Sequence, residues 1–185
     1  MFKVFLCSLT LSAMAFAQEG YDLTLGRAEL GVNAGMNYGF DRQLFEPQTP
    51  WSAGAHAAFG LHRLFAVTAE YSYDDVGTFE PAGIKEQAQT LMGGFRVAAA
   101  NSSHIEPYGS FSMGLARLQG SSPTVQVLGI NVGVNAAMNK LAFAPGGGIN
   151  FKVTRHFGIG VDMRAIRIMD SSWQFRTGLG VFFRL

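Results

Sequence analysis

The chain has 185 residues, with 14 Lys and Arg against 13 Asp and Glu, a formal net charge of +1 and 48% hydrophobic residues. That balance supplies no basic field for nucleic acid and no strongly charged surface for an ionic substrate. A single cysteine excludes a disulfide framework, and the length suits one domain.

Residues 1–17 begin with one cation, Lys3, continue as an apolar stretch and end in Ala15-Phe16-Ala17 before polar Gln18. This is the layout of a secretory signal peptide cleaved near Ala17. Cys7 lies inside it, with too short an apolar run before it for a lipidated cysteine. Residues 18–185 are therefore expected as a single exported domain with no thiol. Losing Lys3 leaves 13 cations against 13 anions, a net charge of zero. Beyond the leader no apolar run approaches the ~18 residues of a membrane helix.

Arg27 to Phe40 alternates without error. Ala28, Leu30, Val32, Ala34, Met36, Tyr38 and Phe40 form an apolar set; Arg27, Glu29, Gly31, Asn33, Gly35, Asn37 and Gly39 form a small or polar one. Successive strand side chains point to opposite faces, so this is a strand with one greasy side. It exceeds the ~5–6 residues of an average strand and meets the roughly 9–11 of a tilted membrane strand. The same pattern predicts strands over Trp51–Leu61, Phe65–Asp74, Ala88–Ala98, Ile105–Leu115, Leu141–Val153, Phe157 to Arg164 and beyond, and Trp173–Leu185.

Eight strands result. The connections at 62–64, 99–104 and 154–156 are short, those at 41–50, 75–87 and 118–140 long, and 168–172 breaks the trend. Short turns on one side and longer loops on the other are the habit of outer-membrane barrels, the short side in the periplasm. A soluble eight-stranded barrel would point its apolar face inward. Two features predict the opposite. On the apolar face Tyr38, Phe40, Trp51, Tyr71, Tyr73, Phe143 and Trp173 fall toward the long loops. Phe59, Phe65, Phe95, Phe151, Phe157 and Phe183 fall toward the short turns, with aliphatics between, as in two interfacial girdles. The other face is rich in Gly and Ser and carries Glu29, Glu70, Arg96, Asp162, Arg164 and Arg176. In so narrow a lumen these charges must pair, so they are expected to form an internal polar network that plugs the barrel. The fold class is thus an all-β, eight-stranded antiparallel up-and-down transmembrane β-barrel.

The segment Phe143–Arg164 joins a glycine-rich strand, a Thr154-Arg155-His156-Phe157 turn and a strand ending Asp162-Met163-Arg164. With Pro107-Tyr108 opening a strand and a last strand running to Leu185, it resembles the OmpA/OmpX-type small outer-membrane β-barrel family. The resemblance implies insertion by the barrel-assembly machinery through an alternating C-terminal strand, here Leu179, Val181, Phe183 and Leu185. The family most often ends in Phe where this chain has Leu185. No peptidoglycan-binding domain is expected to follow.

No HExxH, CxxC or GxSxG motif occurs, and Gly146-Gly147-Gly148 leads into a strand rather than a phosphate-binding helix. The four histidines (His56, His62, His104, His156) are scattered. No catalytic residue, cofactor or metal is expected. The alternatives are a lipid A-modifying deacylase or acyltransferase, built on Ser72, Asp74 and Asp75, or a small pore. Two of the long loops repeat a tripeptide, Phe45-Glu46-Pro47 and Phe79-Glu80-Pro81, and the third is apolar (Val125, Val127, Leu128, Ile130, Val132, Val134). That third loop is expected to be a hairpin above the membrane. The reading is a monomeric bacterial outer-membrane protein with a structural or surface-interaction role. Its neighbours would be outer-membrane lipid and lipopolysaccharide, with a surface partner met through 41–50, 75–87 and 118–140 and no nucleic acid.

Overall fold

The computed structural model describes residues 26–39, 45–46, 50–79, 84–99, 104–121, 125–127, 130–132, 135–171 and 173–185. The expected leader and Phe40 lie outside them. The long strands are β1 (Ala28–Gly39), β2 (Trp51–Gly60), β3 (Phe65–Phe79), β4 (Ile84–Ala98), β5 (Ile105–Ser121), β6 (Asn135–Lys152), β7 (Phe157–Ile168) and β8 (Trp173–Arg184). Each pairs antiparallel with the next, and β8 pairs back onto β1 from Glu29↔Arg184 to Gly39↔Gln174. Closure leaves this sheet no edge within hydrocarbon.

The barrel is staggered. Partners followed from Asp74 through Ser52, Gly35, Gly178, Asp162, Gly148, Tyr108 and Ala98 return to β3 at Leu64, ten residues below Asp74. Such a shear tilts every strand. A line of paired residues therefore climbs toward the long-loop rim as it passes from β3 to β8.

The apolar set faces outward: Leu30 is 53% exposed, Leu91 63% and Leu179 64%, whereas Glu29, Arg96 and Arg176 on the other face are at most 4% exposed. Rings pair along the girdles, Trp51 with Tyr73 at 5.3 Å and Phe143 with Trp173 at 5.5 Å toward the loops, and Phe65 with Phe95 at 5.8 Å toward the turns. On the inner face glycines make room for large side chains opposite: a Cβ at Gly31 would strike the His56 ring, and one at Gly148 the Tyr108 hydroxyl.

Two of the expected long loops are shorter than read. The 75–87 loop is largely strand, since β3 runs to Phe79 and β4 starts at Ile84. A bulge between Asp75 and Gly77 accommodates the extension, Gly77 adopting φ 113°. Likewise β5 runs to Ser121 and β6 starts at Asn135, with a small hairpin, Val125–Val127 paired with Ile130–Val132, between them. The physical reason is an inversion of polarity. Above the girdle the inward positions become apolar (Ala88, Ala116, Leu118) and the outward ones polar (Gln89, Arg117, Gln119). A reading that followed apolar-outward alternation ended these strands too soon. The repeated tripeptides meet at the backbone, where Phe45 pairs with Phe79 and Glu46 with Thr78.

One irregularity was not anticipated. The β6–β7 ladder passes from Gly146↔Arg164 to Phe143↔Arg167, skipping Pro145 and Ala144. Odd-numbered β6 residues bond across this seam, as Met169 N→Leu141 O at 2.9 Å and Val153 N→Phe157 O at 3.0 Å show. Antiparallel bonding alternates, so residue 145 should donate to Ala165 O, and proline has no N–H to give. Pro145→Ala is therefore expected to stabilise the barrel by about 1 kcal/mol, the net worth of one hydrogen bond. A urea midpoint that stays put or falls would contradict this.

Candidate functional site

The lumen is the most heavily built part of the molecule. Toward the short-turn rim, Glu29 accepts from Arg96 Nη1 at 2.7 Å and from Arg184 Nε at 2.8 Å. The Arg184 fork also donates to both oxygens of Glu106, at 2.8 and 3.1 Å, and Lys152 Nζ lies 3.0 Å from Glu106. His56 Nε2 stands 3.5 Å from Glu29, and the Arg184 guanidinium lies 4.9 Å over the Phe182 ring.

A second cluster sits above. Arg164 Nε donates to Asp162 at 2.7 Å, and Arg164 Nη1 donates to Glu70. Arg176 Nη1 reaches Asp74 at 3.4 Å, and Ser72 donates to the other Asp74 oxygen at 2.8 Å. Tyr108 joins the two clusters: its hydroxyl donates to Asp162 at 2.7 Å while Arg96 lies 5.3 Å over its ring. Five carboxylates (Glu29, Glu70, Asp74, Glu106, Asp162) thus face five cations (Arg96, Lys152, Arg164, Arg176, Arg184). The network is formally neutral, which is what so narrow a space requires. A cavity of about 40 Å³ between the clusters, bordered by His56, Glu70, Arg96, Tyr108 and Asn150, has room for about two or three waters.

Of the six charges singled out from the sequence, Glu29 and Arg96 lie in the lower cluster, and Glu70, Asp162, Arg164 and Arg176 in the upper. Asp74, Glu106, Lys152, Arg184 and Tyr108 were missed. Their signal was present, because each occupies an inward position of its strand, but they lie near strand ends where a side chain reads as rim.

Beneath the long-loop rim the lumen changes character. Ala88, Met92, Ala116, Leu118, Ala142, Ala144, Ile166 and Ile168 pack together, none more than 7% exposed. The expected filling was polar throughout; the structure places an apolar layer on the β4–β7 side. The rim itself is uneven. β3 to β6 rise above β1, β2, β7 and β8, and the upper part of β6 (residues 135–140) pairs on its β5 side only among the described residues.

Among the described residues no hydrogen bond joins Ser72 to a histidine. Ser72 bonds Asp74 and Thr90, but the histidines lie in the lower lumen (His56) or on the short-turn rim (His62, His104, His156). Among the described residues no group of three His, Cys, Asp or Glu side chains could hold a metal. Leu179, Val181, Phe183 and Leu185 all face outward on and just past β8, each at least 42% exposed.

The sequence matches the family described as outer membrane protein beta-barrel domain over residues 4–183. No curated protein matches it. Among solved structures the chain is similar to Ail of Yersinia pestis (13% identity, 88% of this chain and 100% of that one, TM-score 0.63). It is also similar to Neisserial surface protein A (10%, 85% and 95%, TM-score 0.58). A third likeness is to the N-terminal β-barrel domain of Pseudomonas aeruginosa OprF (13%, 87% and 98%, TM-score 0.57). One Ail structure is a complex with the heparin analogue sucrose octasulfate.

Proposed function

The chain belongs to the outer membrane protein β-barrel family, and on that premise we propose that its barrel is a sealed anchor for a surface-interaction rim, without catalysis. The single observation that carries this reading is the two-part filling of the lumen beneath a raised wall of β3 to β6. Ion pairs occupy the lower part and apolar side chains the upper, so function moves to the outer surface. On this reading residues 1–17 are removed near Ala17, and the monomer is inserted by the barrel-assembly machinery through the outward Leu179, Val181, Phe183 and Leu185. The uneven rim, where residues 135–140 of β6 pair on the β5 side only among the described residues, faces the exterior.

Planar-bilayer recording of the refolded protein should show no steady conductance; a stable open channel would overturn the sealed lumen. The rim is tested separately. Bacteria carrying the chain are compared with bacteria in which a two-residue turn replaces residues 122–134, for attachment to heparin and to immobilised matrix proteins. Attachment that falls at least tenfold supports the reading, and equal attachment removes the rim from the function.

A further inference from the structure

The outward face changes from apolar to polar along one line. On β4 Leu91 gives way to Gln89, on β5 Leu115 to Arg117, on β6 Leu141 to Asn139, and on β7 Ala165 to Arg167. Gln89 pairs with Arg117 and Arg117 with Asn139, so these three side chains are direct cross-strand neighbours with Cβ atoms about 4.5–5.5 Å apart. Arg117 and Asn139 are exposed. Two strands on from Arg117, Arg167 lies 5.8 Å over the Trp173 ring, itself packed edge-on against Phe143.

Arg167 sits four residues below the line of pairing through Arg117, since residue 171 is the β7 counterpart of Asn139 by the Met169–Leu141 pairing. The barrel's stagger, ten residues over eight strands, recovers roughly two and a half of those four. The two arginine positions therefore stand within about 4 Å of one height in the membrane and roughly 16 Å apart along the surface, two strand spacings across and four residues along.

What surrounds them sharpens the point. The neighbouring carboxylates on this side are engaged with lysines: Asp75 with Lys85 at 3.5 Å and Asp170 with Lys140 at 3.4 Å. Arg117 and Arg167 form no ion pair among the described residues. Two cations flanked by neutral amides, at the depth where the bilayer turns from hydrocarbon to headgroup, form a cationic surface with no carboxylate paired to either arginine among the described residues. Arginine binds phosphate through a planar fork, and the reduced dielectric at the interface strengthens the contact.

We propose that Gln89, Arg117, Asn139 and Arg167 form a docking belt for a phosphorylated glycolipid of the outer leaflet. Arg117 and its amide neighbours take one phosphate, and Arg167, 5.8 Å over the Trp173 ring, takes a second. The belt rests on the proposed orientation with the raised rim outside, but not on what that rim binds.

The test uses the full mature chain in phosphatidylcholine nanodiscs. Binding of lipopolysaccharide, phosphatase-treated lipopolysaccharide and phosphatidylglycerol is measured for the native protein, the Arg117→Ala/Arg167→Ala double variant and Arg155→Ala on the short-turn rim. The native protein and Arg155→Ala should prefer intact lipopolysaccharide at least tenfold over the other two lipids, and the double variant should lose that preference. Both changes lie on the surface, so heat-modifiable gel migration should report folded barrels. The double variant should also keep the native attachment of whole cells, which separates failure of the belt from failure of the rim. The belt is overturned if the double variant keeps the preference, if Arg155→Ala loses it equally, or if phosphatidylglycerol binds as well as lipopolysaccharide.

Discussion

Glu29→Ala will destabilise the folded barrel by about 3–5 kcal/mol, the loss expected when one partner of a buried ion pair is removed. Glu29 is 1% exposed and is the carboxylate shared by Arg96 and Arg184. Arg184 keeps Glu106 in the variant, but Arg96 keeps no ion-pair partner among the described residues, and its guanidinium cannot shed its proton. Most of the penalty is therefore the stranded charge rather than the lost attraction. Removing that charge as well should recover part of it: Glu29→Ala/Arg96→Met should be more stable than Glu29→Ala alone. Urea unfolding in lipid vesicles measures all three forms. A loss below about 1 kcal/mol for Glu29→Ala, a value normal for exposed pairs, would mean that the lumen is solvated rather than packed.

The barrel was legible because its membrane belt obeys one rule: apolar out, small or polar in. From Leu30 to Met36, from Val67 to Tyr71 and from Ile159 to Met163 nothing breaks it, and the structure places these side chains outside. The rule fails where the surroundings change. Above the girdle water replaces hydrocarbon outside and side chains replace water inside, so Leu118, Ile166 and Ile168 face in while Gln119 and Arg167 face out. Local alternation is intact there with its sense reversed, and strands defined by their greasy side end at the crossing. The same blind spot hid the apolar layer of the lumen. The charged partners at strand ends, Glu106, Lys152 and Arg184, needed the stagger as well as the alternation. Only the shear of the closed barrel brings Arg184 beside Glu106, 78 positions away in the chain.

Ile166→Ala will be nearly as damaging, at about 3–5 kcal/mol, although the side chain it removes carries no charge. Ile166 is 1% exposed and packs with Met92, Leu118 and Ile168, so truncation forfeits its transfer energy and leaves a cavity that a closed barrel cannot collapse to fill. The matched control is Ile159→Ala on β7, seven residues away and 42% exposed on the outer face. There acyl chains fill the gap, the cavity contribution vanishes, and a loss of about 1–2 kcal/mol is expected from transfer alone. Equal losses at the two positions would mean that Ile166 is not in a packed interior. The two-part filling also predicts a difference between stability and permeability. Ile166→Ala/Ile168→Ala hollows out the upper layer but leaves the ion pairs of Arg164, Glu70 and Glu29 below it. A destabilised barrel that still conducts no ions is the expected outcome, and a steady current from this double variant would show that the apolar layer is the sole seal.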